Sequence, residues 1–176
     1  MKGDFLITKE FLKELSPCTD GYRWFCETYP DGGKYQEILD RLCELDRFYD
    51  ACWLFDKVGA TDDVLELTGI DDKAMNICFA GAVIVKESLV LKNIKAGGFI
   101  ETGGLFKAGW FIKAGEYIKA GWSIEADGSI EAGSDYGVYA GLSVRISDMK
   151  ESGYVKAQER PKNLMCGYWE GEGYEI

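Results

Sequence analysis

An α+β fold is predicted by three features of the chain. Aliphatic residues recur every six positions from Ile94 to Ile130, the N-terminal part is patterned as amphipathic helices, and a break in the repeat precedes two strand-like segments. The expected architecture is an N-terminal helical unit capping a short triangular parallel β-solenoid of about four coils, with a C-terminal β-hairpin. In this reading residues 1–76 form an acidic helical domain, 77–149 the solenoid, and 150–176 the strands that close or flank it.

The helical elements follow from apolar spacing and stop signals. Residues 8–15 place Phe11, Leu12 and Leu15 on one face, and Ser16-Pro17 ends the segment. Residues 20–29 bring in Tyr22, Trp24, Phe25 and Cys26 before Pro30-Asp31-Gly32-Gly33 forces a turn. From 34 to 58, Ile38, Leu42, Leu45, Tyr49, Cys52 and Trp53 mark one long helix, or two broken near Asp46, with Gly59 as the stop. Residues 62–67 and 71–75 read as short helical turns. The first 75 residues hold nine basic and seventeen acidic side chains, which is -8 of the total charge of -10.

After residue 77 the repeat takes over, with the commonest unit I-(K/E)-A-G-x-x. Units begin at Ile94, Ile100, Phe106, Ile112, Ile118, Ile124 and Ile130, and Val138 and Val144 continue the series after two extra residues. Within a unit the first and third residues share the inward face, and the charged second residue faces water. Glycine at the fourth position lets the chain turn with no Cβ in the way, and three sides close a coil of about eighteen residues. Upstream, Ile77 and Phe79, Val83 and Val85, and Leu89 and Leu91 supply the same inward pairs. This register stacks Ile94, Ile112 and Ile130, and likewise Ala96, Ala114 and Ala132. On the outside it sets Lys107 near Glu125 and then Arg145, and Glu101 near Lys119.

Some outward positions are apolar: Cys78, Ile84 and Val90, then the corners Phe99, Leu105, Trp110 and Phe111. They mark the N-terminal end of the stack as the surface where the helices dock. In the C-terminal segment, "YVKAQER" and "NLMCGYWEG" read as strands joined by a turn near Pro161-Lys162-Asn163. They either cover the last edge of the solenoid or leave it for a second copy.

Composition restricts function. A charge of -10 repels nucleic acid and favours a partner with a basic groove. Charge interrupts the N-terminus too early for a secretion signal and no run reaches membrane-spanning length, so a cytoplasmic place in a bacterial host is expected. The six cysteines include no CxxC and read as free thiols in a reducing cytosol. A zinc site from Cys18, Cys26, Cys43 and Cys52 is disfavoured by irregular spacing. The chain contains no histidine, P-loop, HExxH or nucleophile elbow. Paired acids such as Asp62-Asp63 and Asp71-Asp72 read as helix-start caps. No catalytic, cofactor-binding or metal-binding residue is assigned, and the protein reads as a non-enzyme.

The six-residue period resembles the hexapeptide-repeat acyltransferases over about seventy residues. However, Trp110, Glu116 and Trp122 stand where that family places a small residue, and the family's general base is a histidine. The I-x-A alternation is also similar to the polymer-forming solenoids of the bactofilin class. Finally, the repeat joined to a "PCxxGYxWF"-like element, Pro17 to Phe25, resembles small proteins of phages and mobile elements. That resemblance implies an inhibitor of a host defence complex, anti-CRISPR proteins being the model, whose acidic surface occupies a basic nucleic-acid groove.

The expected contacts are Asp40, Glu44, Asp62, Asp63 and Glu66 on the acidic side, with Trp110, Glu116, Tyr117 and Trp122 on the solenoid. The expected partner is a host protein or nucleic-acid-binding complex, with no direct nucleic acid and no membrane. Self-association into a dimer or polymer through the solenoid edge is the alternative.

Overall fold

In the computed structural model, which describes residues 5–171, the helical unit comprises β1 (Leu6–Ile7), α1 (Lys9–Glu14), α2 (Thr19–Thr28), β2 (Gly33–Lys34), α3 (Tyr35–Glu44) and α4 (Phe48–Val58). Thr8 starts α1 by accepting the Phe11 N–H at 3.2 Å. Of the two arrangements open for residues 34–58, one long helix or two, the structure takes two: Asp46, at a φ of 57°, separates α3 from α4, and Gly59 ends α4 at a φ of 95°. The antiparallel pairing of β1 with β2 is two residues long and leaves no periodic signature in the sequence. Ile7, Phe25, Tyr35, Ile38, Leu39, Ala51 and Leu54 fill the core between these elements.

The solenoid begins at Val64 rather than at Ile77. Its first face is built from β3 (Val64–Leu67), β6 (Ala82–Val85), β9 (Ile100–Thr102), β12 (Ile118–Ala120), β15 (Val138–Tyr139) and β17 (Leu164–Cys166). The second is β4 (Ile70–Asp71), β7 (Leu89–Leu91), β10 (Phe106–Ala108), β13 (Ile124–Ala126), β16 (Tyr154–Lys156) and β18 (Tyr168–Trp169). The third is β5 (Asn76–Phe79), β8 (Asn93–Ala96), β11 (Ile112–Ala114) and β14 (Ile130–Glu131).

Two faces of six strands give six turns rather than four. The additional coils come from both ends. The segments expected as helical turns at 62–67 and 71–75 contain strands β3 and β4, because Leu65 and Leu67 alternate and register under Val83 and Val85. Tertiary pairing here overrides the acidic residues that read as helix caps.

Every solenoid pairing is parallel, and the predicted register holds for Ile94, Ile112 and Ile130 and for Ala96 and Ala114. Ala132 lies just beyond β14 and packs against the same core. The inward isoleucines at 94, 100, 112, 118 and 124 are fully buried. Outside, Lys107 meets Glu125 at 2.5 Å, Lys113 meets Glu131 at 2.9 Å and Lys119 meets Glu101 at 3.4 Å.

Arg145 does not extend this ladder, and Val144 does not extend the core. The chain leaves the coil at Gly141, where φ is 76°, and passes through a 3-10 turn (Ile146–Asp148) and α5 (Met149–Ser152). It returns as β16, so Lys156 follows Glu125 and the buried Val155 follows Ile124. The two strands predicted in the C-terminal segment are present, as is the turn between them. β16 joins the second face and β17 the first, both in parallel, rather than pairing with one another.

The helical unit packs on the third face. Gln36 of α3 donates to the Cys78 carbonyl and accepts from the Ala80 N–H, both at 2.9 Å. Its amide therefore pairs with the outer edge of β5 as another strand would, which caps that edge. Asp46 accepts from Asn76 at 2.9 Å and from the Lys92 ammonium at 2.6 Å. Lys95 is buried, pairs with Asp56 at 2.5 Å and lies 4.6 Å from the Phe55 ring centre.

Phe111 rests against Phe48 and Tyr49, with ring centres 5.9 and 6.2 Å away. Of the apolar outward residues, Cys78 and Phe111 are thus met by the helices. Ile84 and Val90 point from the other two faces, half-buried between Glu66 and Glu101 and between Asp71 and Lys107 respectively.

Candidate functional site

β3 and β4 are the end strands of their sheets, so nothing in either sheet stacks beneath their inward side chains. Leu65, Leu67 and Ile70 are half-buried, whereas Val83, Val85 and Leu89 one coil above are fully buried. With α3 standing alongside, this open end becomes a cavity of about 570 Å³ lined by Asp40, Cys43, Glu44, Leu65, Leu67, Ile70, Asp72, Met75 and Ile77 among others. The floor is apolar and the rim carries three carboxylates.

Each rim acid has a local cause for its position. Asp40 and Glu44 stand one helical turn apart on α3 and so share a face. Asp72 follows β4, where its carboxylate accepts the Ala74 N–H at 3.0 Å and fixes the turn into β5. Arg41 pairs with Glu44 at 2.9 Å and offsets part of the rim charge. Desolvation raises the pKa of the Asp40 carboxyl above its ordinary value; the Gln36 hydrogen bond at 2.8 Å opposes this, and Glu44 and Glu37 add to it. An apolar floor beside carboxylates accommodates a side chain with an aliphatic stem and a cationic head.

The other predicted contacts are dispersed. Asp62, exposed, and Asp63, half-buried, precede β3, and exposed Glu66 points outward from it, on the outer side of the same end. The four solenoid residues occupy three different corners. Trp110 lies between β10 and β11, Trp122 between β12 and β13, and Glu116 and Tyr117 between β11 and β12. Trp110 and Trp122 are 55% and 54% exposed.

Tyr117 is held in place: it stacks on Phe99 at 4.9 Å, donates to Glu101 at 2.9 Å and lies under the Lys119 ammonium at 4.0 Å. Its phenol is pushed up to about 12, first by desolvation and then by Glu101.

The structure therefore brings Asp40 and Glu44 together with Asp72, Leu65, Leu67, Ile70 and Met75, which sequence reasoning did not single out. The alternation of Leu65 and Leu67 was the available signal. It is shorter than the repeat downstream and is preceded by paired acids, which favoured a helical reading.

Among the cysteines, Cys18 is exposed at the start of α2, while Cys43 and Cys78 are buried where the helices meet β5. Burial, as the main cause, pushes the Cys43 thiol up to about 12. Among the described residues no group of three or more histidines, cysteines or acids is arranged to hold a metal ion, and no helix is long and apolar enough to cross a membrane.

Neither a curated protein nor a solved structure matches the chain. Residues 1–61 match the family model described as the YdhT N-terminal domain. The match ends just before β3 begins at Val64, so the likeness to that domain covers the helical unit, and the solenoid follows outside it.

Proposed function

We propose that the protein is a non-enzymatic binding module whose open, acid-rimmed solenoid end seats a basic segment of a partner protein. The arrangement of Asp40, Glu44 and Asp72 around an apolar floor carries this reading. The -8 charge of the first 75 residues supports it by favouring encounter with a basic surface. In its finer form, the partner is a host nucleic-acid-binding complex in the bacterial cytosol. The module, of phage or mobile-element type, inhibits that complex by occupying the groove that nucleic acid would fill.

The test is a pull-down from bacterial lysate with the wild type and with a D40N/E44Q/D72N variant. A nucleic-acid-binding complex is expected on the wild type, released by added nucleic acid and by salt, and lost with the variant. Capture that the neutral variant retains in full would contradict the proposal.

A second reading is self-association. The half-buried Leu65, Leu67 and Ile70 at the end strands favour it, since a second copy would cover them. Light scattering after size exclusion separates the two, because a monomer at every concentration removes the polymer.

A further inference from the structure

The element Pro17 to Phe25 takes no part in the open end of the solenoid, yet five of its residues converge. Pro17, Cys18, Gly21, Trp24 and Phe25 form one wall of a cavity of about 260 Å³ inside the helical unit. Ile38 and Leu42 of α3 and Trp53 and Leu54 of α4 are among the residues opposite, and Leu12 of α1 also lines it. Gly21 keeps its wall flat: a Cβ there would lie 3.2 Å from the Cys18 sulfur, which itself accepts the Gly21 N–H at 3.3 Å. The spacing of the element thus has a local physical consequence, which is a concave aromatic surface.

The charges at this cavity indicate what it takes. Arg47 is held by Asp50 at 2.6 Å and by Asp20 at 2.9 Å, and its guanidinium lies 5.2 Å from the Trp24 ring centre. Two carboxylates already engage the one cation, so a ligand anion would meet net negative charge. The Trp24 ring already has a cation against it, so a second cation gains little there. What remains is an apolar space with the side chains of Trp24, Phe25 and Trp53, where an uncharged ring gains both burial and ring–ring contact. Water makes few hydrogen bonds against such walls.

We infer that the helical unit binds a small uncharged aromatic molecule of one or two rings between Trp24 and Trp53. This site is separate from the open end of the solenoid and does not rest on the partner-binding proposal.

The test is a titration of the ¹⁵N-labelled full chain with indole, followed by NMR. Saturable shifts are expected at the indole N–H signals of Trp24 and Trp53, with those of Trp110 and Trp122 on the solenoid unmoved. Benzoate is expected to bind at least tenfold more weakly than indole. Ile38→Phe, which fills the cavity, is expected to abolish the shifts while retaining the folded spectrum.

The absence of saturable shifts in the folded wild type would overturn the inference, whatever the fate of the filled variant. Benzoate binding as tightly as indole would also overturn it. So would tighter binding of a blocked tryptophan tripeptide, which would make the cavity an anchor for a protein side chain instead.

Discussion

Gly115 lies directly over Gly97, so closely that a Cβ on Gly115 would fall 2.0 Å from the Gly97 carbonyl oxygen. Gly133 repeats the arrangement over Gly115 at 2.1 Å. At Gly115 and Gly133 glycine is required by this close approach of stacked corners, since neither has a positive φ. Gly109, at the equivalent place in another unit, has no atom nearer than 3.7 Å to such a Cβ. Gly115→Ala is therefore expected to cost about 3 kcal/mol or more, and Gly109→Ala less than about 0.5 kcal/mol. Chemical denaturation of both variants checks the contrast.

Glu125 joins two donors, accepting from Lys107 at 2.5 Å and from the Tyr154 hydroxyl at 2.6 Å. Burial alone would raise its carboxyl, but the hydrogen bonds from Lys107 and Tyr154 and the nearby positive charge outweigh it and hold the value below the ordinary one. A lowered folded value contributes stability that is present above the unfolded value of about 4.3 and is lost as pH falls through the folded value. Glu125→Gln keeps an acceptor for Tyr154 and loses the ion pair. It is expected to cost about 1 kcal/mol at neutral pH and to flatten the fall in Tm between about pH 5 and 3.

Gln36 supplies two hydrogen bonds through which α3 meets the backbone edge of β5. Gln36→Ala leaves the Cys78 carbonyl and the Ala80 N–H without that partner in a largely buried junction. The expected cost is about 2 kcal/mol, with faster amide exchange at Ala80. Exchange at Ala114, two strands away in the same sheet, is expected to change less.

Asp40 has the opposite sign from Glu125. Because burial raises its folded value, the ionised carboxylate opposes folding, and stability falls as pH rises from the unfolded value of about 3.9 through the folded one. Asp40 is exposed at the rim, so solvent screens most of this effect, and Asp40→Asn is expected to leave stability at pH 7 unchanged or slightly raised while weakening partner capture. A melting curve and a binding assay on the same variant check both parts.

The sequence carries the solenoid clearly because the six-residue period repeats the same inward residues from Ile94 to Ile130, and parallel stacking translates that period directly into register. The coils at either end were less legible. β3 and β4 hold one short alternation beside acids, and β16 and β17 are separated from the repeat by the excursion after Gly141.

The candidate site was half legible for the same reason. Asp40 and Glu44 follow from helical spacing, but Asp72 and the Leu65, Leu67 and Ile70 floor need the first coil to be recognised. Trp110, Glu116, Tyr117 and Trp122 are conspicuous as departures from the repeat, yet three-sided winding sends them to different corners.

The proposed role of the open end is tested most directly by titrating a fluorescent peptide of alternating lysine and leucine into the wild type and the D40N/E44Q/D72N variant at low and moderate salt. Saturable binding to the wild type is expected, weakened about tenfold by the substitutions and further by salt. Equal affinity of the two proteins, or binding indifferent to salt, would contradict an acid-rimmed seat for a basic partner.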